Sequence, residues 1–126
     1  MNPFVLSLGS NLDYAEANAN LSRAEMFLSE YFDGEIVFSP HYQTEGVGSG
    51  KGKMYVNAVA KGKTLKEYSE IQKTLKEIEM EMGRTPETKA LGIVPIDLDL
   101  LSLGEEIFRP KDLEQNYVKR GLDSLQ

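Results

Sequence analysis

Two aspartates sit in one short apolar run, Pro95-Ile96-Asp97-Leu98-Asp99-Leu100-Leu101. In an extended strand, residues i and i+2 face the same way, with Cα atoms roughly 6.5–7 Å apart. Asp97 and Asp99 therefore share a face, while Ile96, Leu98 and Leu100 point the other way, into a core. Carboxylates in an apolar strand are costly unless cations or hydrogen-bond donors lie opposite them. Hard divalent cations prefer carboxylate oxygen, so a pair of Mg²⁺ ions carrying a polyphosphate suits such a face. The solvated face of an edge strand has the same pattern, and the residues alone do not separate the two.

Few other residues offer chemistry. Glu79 borders the apolar stripe of a predicted helix, and Arg84 follows its stop, within reach of that end of the sheet. For both, a solvated helix end is the plainer explanation. Residues 46–53 read GVGSGKGK. The P-loop spacing GxxxxGK[ST] is absent and a strand follows instead of a helix, so a hairpin loop that can act as a lid fits better. The single histidine, His41, has no obvious partner for nucleophilic or metal chemistry and reads as structural. Lys73, Lys76, Glu77 and Glu81 read as an exposed helix face with i,i+4 pairing.

The elements that must hold these groups follow from periodicity. Phe4 to Gly9 is a buried strand ending in a Gly-Ser-Asn turn. A helix begins near Asp13, with Ala17, Leu21, Ala24, Leu28 and Phe32 on its apolar face, and Asp33-Gly34 stops it. Ile36 to Thr44 and Met54 to Lys61 form an antiparallel pair around the glycine-rich loop. Thr64-x-x-Glu67 has the form of a capping box. It opens a second helix carrying Tyr68, Ile71, Leu75, Ile78 and Met82, which Gly83 ends. A loop over residues 84–94 leads to a last strand, Ile96 to Leu103, with Pro95 at its start. The order β-α-β-β-α-β predicts an α+β fold of the ferredoxin-like split type, an antiparallel sheet with helices on one face.

Bulk composition narrows the function. The 126 residues suit one domain, 1–126, with 40% hydrophobic and 27% charged residues. With no cysteine, disulfides and thiolate metal sites are ruled out. The net charge of −6 argues against nucleic-acid binding through phosphates. A small anion held through metal ions stays open. The N-terminus has no basic n-region and no apolar run approaches roughly 18 residues, so no membrane role and a cytoplasmic location are expected.

In order, the pieces resemble the 6-hydroxymethyl-7,8-dihydropterin pyrophosphokinase family of folate biosynthesis. The matching residues are Leu8-Gly9-Ser10-Asn11-Leu12, Tyr42-x-Thr44-x-x-x-Gly48, Tyr55-Val56-Asn57-Ala58, Glu79 with Gly83-Arg84, and Gly92-x-x-x-Ile96-Asp97-Leu98-Asp99-Leu100-Leu101. The resemblance implies the same fold and transfer of pyrophosphate from ATP to the pterin's hydroxymethyl oxygen, giving AMP. It also implies two Mg²⁺ ions on Asp97 and Asp99, with Arg84 beside them in catalysis. Thr44, Val47, Gly48, Tyr55 and Asn57 would form the pterin pocket. Glu79, Arg84, Leu100, Tyr117 and Arg120 would lie around ATP.

The chain departs from the family at several positions. Val94 stands where the family has a phosphate-handling arginine. Lys76 replaces a glutamine, Leu91 an aromatic and Leu122 another aromatic, and a C-terminal histidine is missing. With the sequence ending at Gln126, one side of the site is expected to be open, or closed by another subunit of a homo-oligomer. Three functions remain in view. One is a working pyrophosphokinase that uses Lys89, Lys119 or Arg120 in place of the arginine. Another is a catalytically weak pterin- or nucleotide-binding relative acting as a sensor or subunit. The third is a different two-carboxylate nucleotidyl- or phosphotransferase.

Overall fold

The computed structural model describes residues 1–45 and 53–126. Strand β1 (Asn2–Ser10) buries Phe4, Leu6 and Leu8. Helix α1 (Tyr14–Tyr31) lays Ala17, Leu21, Ala24 and Leu28 against the sheet. It stops where expected, because Asp33 and Gly34 both take positive φ, 54° and 79°. The Gly34 amide then returns 2.8 Å to the Ser29 carbonyl.

The expected strand from Ile36 to Thr44 is two strands, β2 (Ile36–Phe38) and β3 (Tyr42–Glu45), both antiparallel to β4 (Met54–Thr64). Pro40 has no N–H to give the ladder. Ser39 bridges the break: its N–H donates to Val59 O at 2.8 Å, and its Oγ accepts from Val59 N at 2.9 Å. His41 ties the break to α1, with Nδ1 2.8 Å from Asn18 Oδ1 and Nε2 2.9 Å from Glu25 Oε2. The structural role expected of His41 thus has named partners.

Helix α2 (Tyr68–Glu81) begins four residues after Thr64, not at it. Thr64 is still paired with Asn2 as the last residue of β4, and its Oγ1 accepts from Lys66 N in a local turn. Sheet pairing overrides the capping pattern. A reciprocal capping box forms instead between Thr85 and Thr88, opening α3 (Pro86–Ala90) inside the segment expected to be a loop. β5 (Asp97–Leu103) follows, then β6 (Glu106–Ile107), α4 (Pro110–Leu113) and α5 (Asn116–Ser124).

Among the described residues the sheet has six strands, ordered β2-β4-β1-β5-β6 with β3 also on β4, and every pairing is antiparallel. The architecture is α+β and consistent with the ferredoxin-like arrangement. Helices α1 and α2 share one face with the main core, which includes Leu8, Leu21, Leu75, Ala58 and Leu98. α5 was not foreseen and lies on the other face, where Val118 packs on Val59 and Leu101. A register shift between Val5 and Leu6 leaves Leu101 without a Cα partner on β1. α5 sits so close to β4 that a Cβ on Gly121 would collide with Val59 and Ser39. No helix among the described residues is long and apolar enough to cross a membrane.

Candidate active site

Strand register builds the site on the face opposite the main core. Gly9 on β1 pairs with Asn57 on β4 and with Asp97 on β5, and Tyr42 on β3 pairs with Asn57. Two residues along, Ser7 pairs with Asp99. Gly9 leaves open space between the asparagine and the aspartate: a Cβ there would stand 2.7 Å from Asn57 Oδ1. That residue cannot be larger without moving Asn57. The Asn57 amide nitrogen donates to Thr44 Oγ1, so the two residues form one unit across β3 and β4.

Both carboxylates of the aspartate pair have arginine partners. Arg84 Nη1 lies 3.0 Å from Asp97 Oδ1, 3.0 Å from Glu79 Oε2 and 3.3 Å from the Ile96 carbonyl. Glu79 Oε2 also accepts from Leu98 N at 2.8 Å. A side chain from α2 thus receives the Leu98 amide, because β6 pairs with β5 only at Ser102 and Leu103. Burial pushes the Glu79 carboxyl up from its ordinary value, and the Leu98 hydrogen bond and Arg84 oppose this. On the second aspartate, Arg109 Nη1 lies 3.4 Å from Asp99 Oδ1, and Arg109 Nε lies 2.5 Å from Asp112 Oδ2. Burial raises Asp99 to about 7, and the charge of Asp97 and a hydrogen bond with it add to the rise. Arg109 does not fully offset these effects.

These groups open into a cavity of about 440 Å³. Thr44, Tyr55, Asn57, Asp97, Asp99 and Tyr117 all line it, together with Arg109. Burial raises the Tyr117 hydroxyl to about 12, against a hydrogen bond with Ser7 that lowers it. Tyr55 also lines a second depression beside Lys53 and Leu91, so it forms part of both walls.

Other sequence candidates lie elsewhere. Glu79 on α2 and Arg84 just after it do not line the cavity but brace Leu98 and Asp97. The side chain of Leu100 is 2% exposed and belongs to the main core, because residues of one parity on β5 face α1 and α2. Arg120 lies outside the cavity lining, with its guanidinium 4.6 Å from the Tyr42 ring centre. Lys89 and Lys119 do not line the cavity either. Val47 and Gly48 lie outside the described residues. Arg109 and Asp112 were missed in the sequence. Their one local signal is the turn after β5, where Gly104 has φ 61° and sends the chain back across the site.

The aspartate pair suits a hard divalent cation: both donors are oxygens, both line the cavity, and one holds its proton unusually tightly without an added charge. No group of three or more His, Cys, Asp or Glu among the described residues could hold a metal. A cation here would take its remaining ligands from water and a bound phosphate.

The model of the family described as 7,8-dihydro-6-hydroxymethylpterin-pyrophosphokinase (HPPK) matches residues 5–126. A folate synthesis bifunctional protein of Arabidopsis thaliana is 33% identical over 101 residues, which make up 80% of this chain and 20% of that protein. The chain therefore spans about a fifth of that relative's length.

Proposed function

Since the chain belongs to the 7,8-dihydro-6-hydroxymethylpterin-pyrophosphokinase family, with a kinase-type role in folate biosynthesis, we propose that it performs the full transfer on a single domain in the cytoplasm. The hydroxymethyl oxygen of the dihydropterin attacks the β-phosphorus of ATP. A new oxygen–phosphorus bond forms, the bond from Pβ to the α–β bridging oxygen breaks, AMP leaves with that oxygen, and the hydroxyl proton passes to solvent.

One observation carries this reading. A single cavity holds the aspartate pair and the Thr44–Asn57 unit, with only β1 between β4 and β5 and its Gly9 between Asn57 and Asp97. Thr44 occupies an amide proton of Asn57, and its Oδ1 is left to accept an N–H from the flat heterocycle. Tyr55 offers an aromatic wall. A ligand lacking the matching edge leaves Asn57 unpaired, which gives specificity. Asp97 and Asp99 would hold Mg²⁺, which when bound neutralises the phosphates and acidifies the hydroxyl. Arg84 fixes Asp97 from behind, and Glu79 fixes both Arg84 and the β5 backbone.

A second reading, a weakly catalytic pterin- or nucleotide-binding relative, is favoured by Val94. That residue brings no charge, and its backbone is engaged with Asn11 and Ser10. The Thr44, Tyr55 and Asn57 wall counts against a different phosphotransferase. The test is AMP release from ATP and Mg²⁺ with and without 6-hydroxymethyl-7,8-dihydropterin. Pterin-dependent AMP supports the transferase. A folded sample releasing none supports the binding protein.

A further inference from the structure

The cavity is acidic. Glu45 and Asp112 line it along with Asp97 and Asp99, and Arg109 is the one lysine or arginine among its described lining residues. A triphosphate entering here meets four carboxylates and one cation. Three other basic residues around the site are engaged elsewhere. Arg84 Nη1 already serves three acceptors, Arg120 lies over Tyr42, and Lys53 Nζ donates to the Gly92 carbonyl at 3.0 Å.

Arg109 is held unequally. Its bond to Asp112 is 2.5 Å and its bond to Asp99 is 3.4 Å, with the arginine side chain 49% exposed. A guanidinium has five N–H donors in a fork suited to phosphate. The two contacts to described residues use only two of them. The short bond fixes the head of the side chain, and the long one is easily exchanged.

We propose that Arg109 changes partner during the cycle: it screens Asp99 in the metal-free protein and turns to the nucleotide's phosphates when a divalent cation takes Asp99, while Asp112 keeps hold of Nε. Arg109 thereby supplies the positive charge that Val94 lacks. The inference rests on the nucleotide-binding reading of the same site. It predicts effects of opposite sign on two ligands. Arg109 competes with a lone cation for Asp99 and cooperates with a cation–nucleotide complex. A residue that merely supported α4 would weaken both or neither.

The test uses Mn²⁺ alone, followed by electron paramagnetic resonance, and Mn²⁺ with α,β-methylene-ATP, followed by calorimetry. In Arg109→Gln, Mn²⁺ alone is expected to bind several-fold tighter. The Mn²⁺–analogue complex is expected to bind roughly tenfold to a hundredfold weaker, the range of a charged hydrogen bond. If Arg109→Gln does not fold, Arg109→Lys carries the test: it keeps the charge and loses the fork, so analogue binding weakens while Mn²⁺ binding alone is unchanged. Unchanged analogue affinity in the variant, or weaker binding of Mn²⁺ alone, overturns the proposal. Failure of the unaltered protein to bind the analogue overturns the nucleotide reading as well, which distinguishes the two failures.

Discussion

On one face of the sheet, Leu6, Leu8, Ala58, Leu98 and Leu100 meet α1 and α2 and are almost fully buried. On the other, Ser7, Gly9, Asn57, Asp97 and Asp99 line a cavity roofed by short helices from the end of the chain. The same three strands supply both sets, by alternation. One face contributes the stability, and it can do so because nothing polar has to be placed there. The other holds like charges close together, with Asp99 raised to about 7, and relies on its neighbour for rigidity. Substitutions on the two faces should therefore be felt in different measurements.

The largest effect is expected from Asp97→Ala. It should cut pterin-dependent AMP release by about 100-fold to 1,000-fold, the usual loss when a group that stabilises transferring charge is removed. The urea midpoint should move little, because repulsion with Asp99 is relieved as the bond to Arg84 is lost. A large drop in midpoint would break the separation between the faces.

Leu75→Ala on α2 should do the opposite. The side chain is 1% exposed, and its loss should cost about 2–5 kcal/mol in urea unfolding. Below the transition, the affinity for Mn²⁺ and nucleotide should stay unchanged. Gly121→Ala should affect both measurements. A methyl group has no room against Val59 and Ser39, so a loss of about 1–3 kcal/mol is expected. Nucleotide binding should also weaken, because α5 carries Tyr117 into the cavity wall.

A further effect concerns pH. An unfolded Asp99 gives up its proton near the ordinary carboxylate value of 3.8, and the folded one holds it to about 7. The proton therefore favours the folded state. Its contribution is present below pH 4 and is lost as pH rises from about 4 to 7. The melting temperature of the metal-free protein should fall across that window, and Asp99→Asn should flatten the fall. An unchanged slope in the variant would assign the pH dependence to other groups.

Local pattern was enough for much of this. Alternation put Asp97 and Asp99 on one face, helical spacing identified the buried stripes of α1 and α2, and Asp33-Gly34 marked a helix end, because each depends on residues only a few positions apart. The resemblance added the Thr44, Tyr55 and Asn57 wall. Contacts between distant segments were another matter. Strand register brings Gly9 between Asn57 and Asp97, residues separated by 40 positions of chain. Pairing with Asn2 keeps Thr64 in β4 despite its capping pattern, and the core takes the side chain of Leu100 onto the face opposite the cavity. Arg109 reached the cavity unannounced, because the turn at Gly104 that carries it there says nothing about its destination. Local sterics and periodicity act within a few residues, whereas the partner of a charge depends on which surfaces the whole chain brings together.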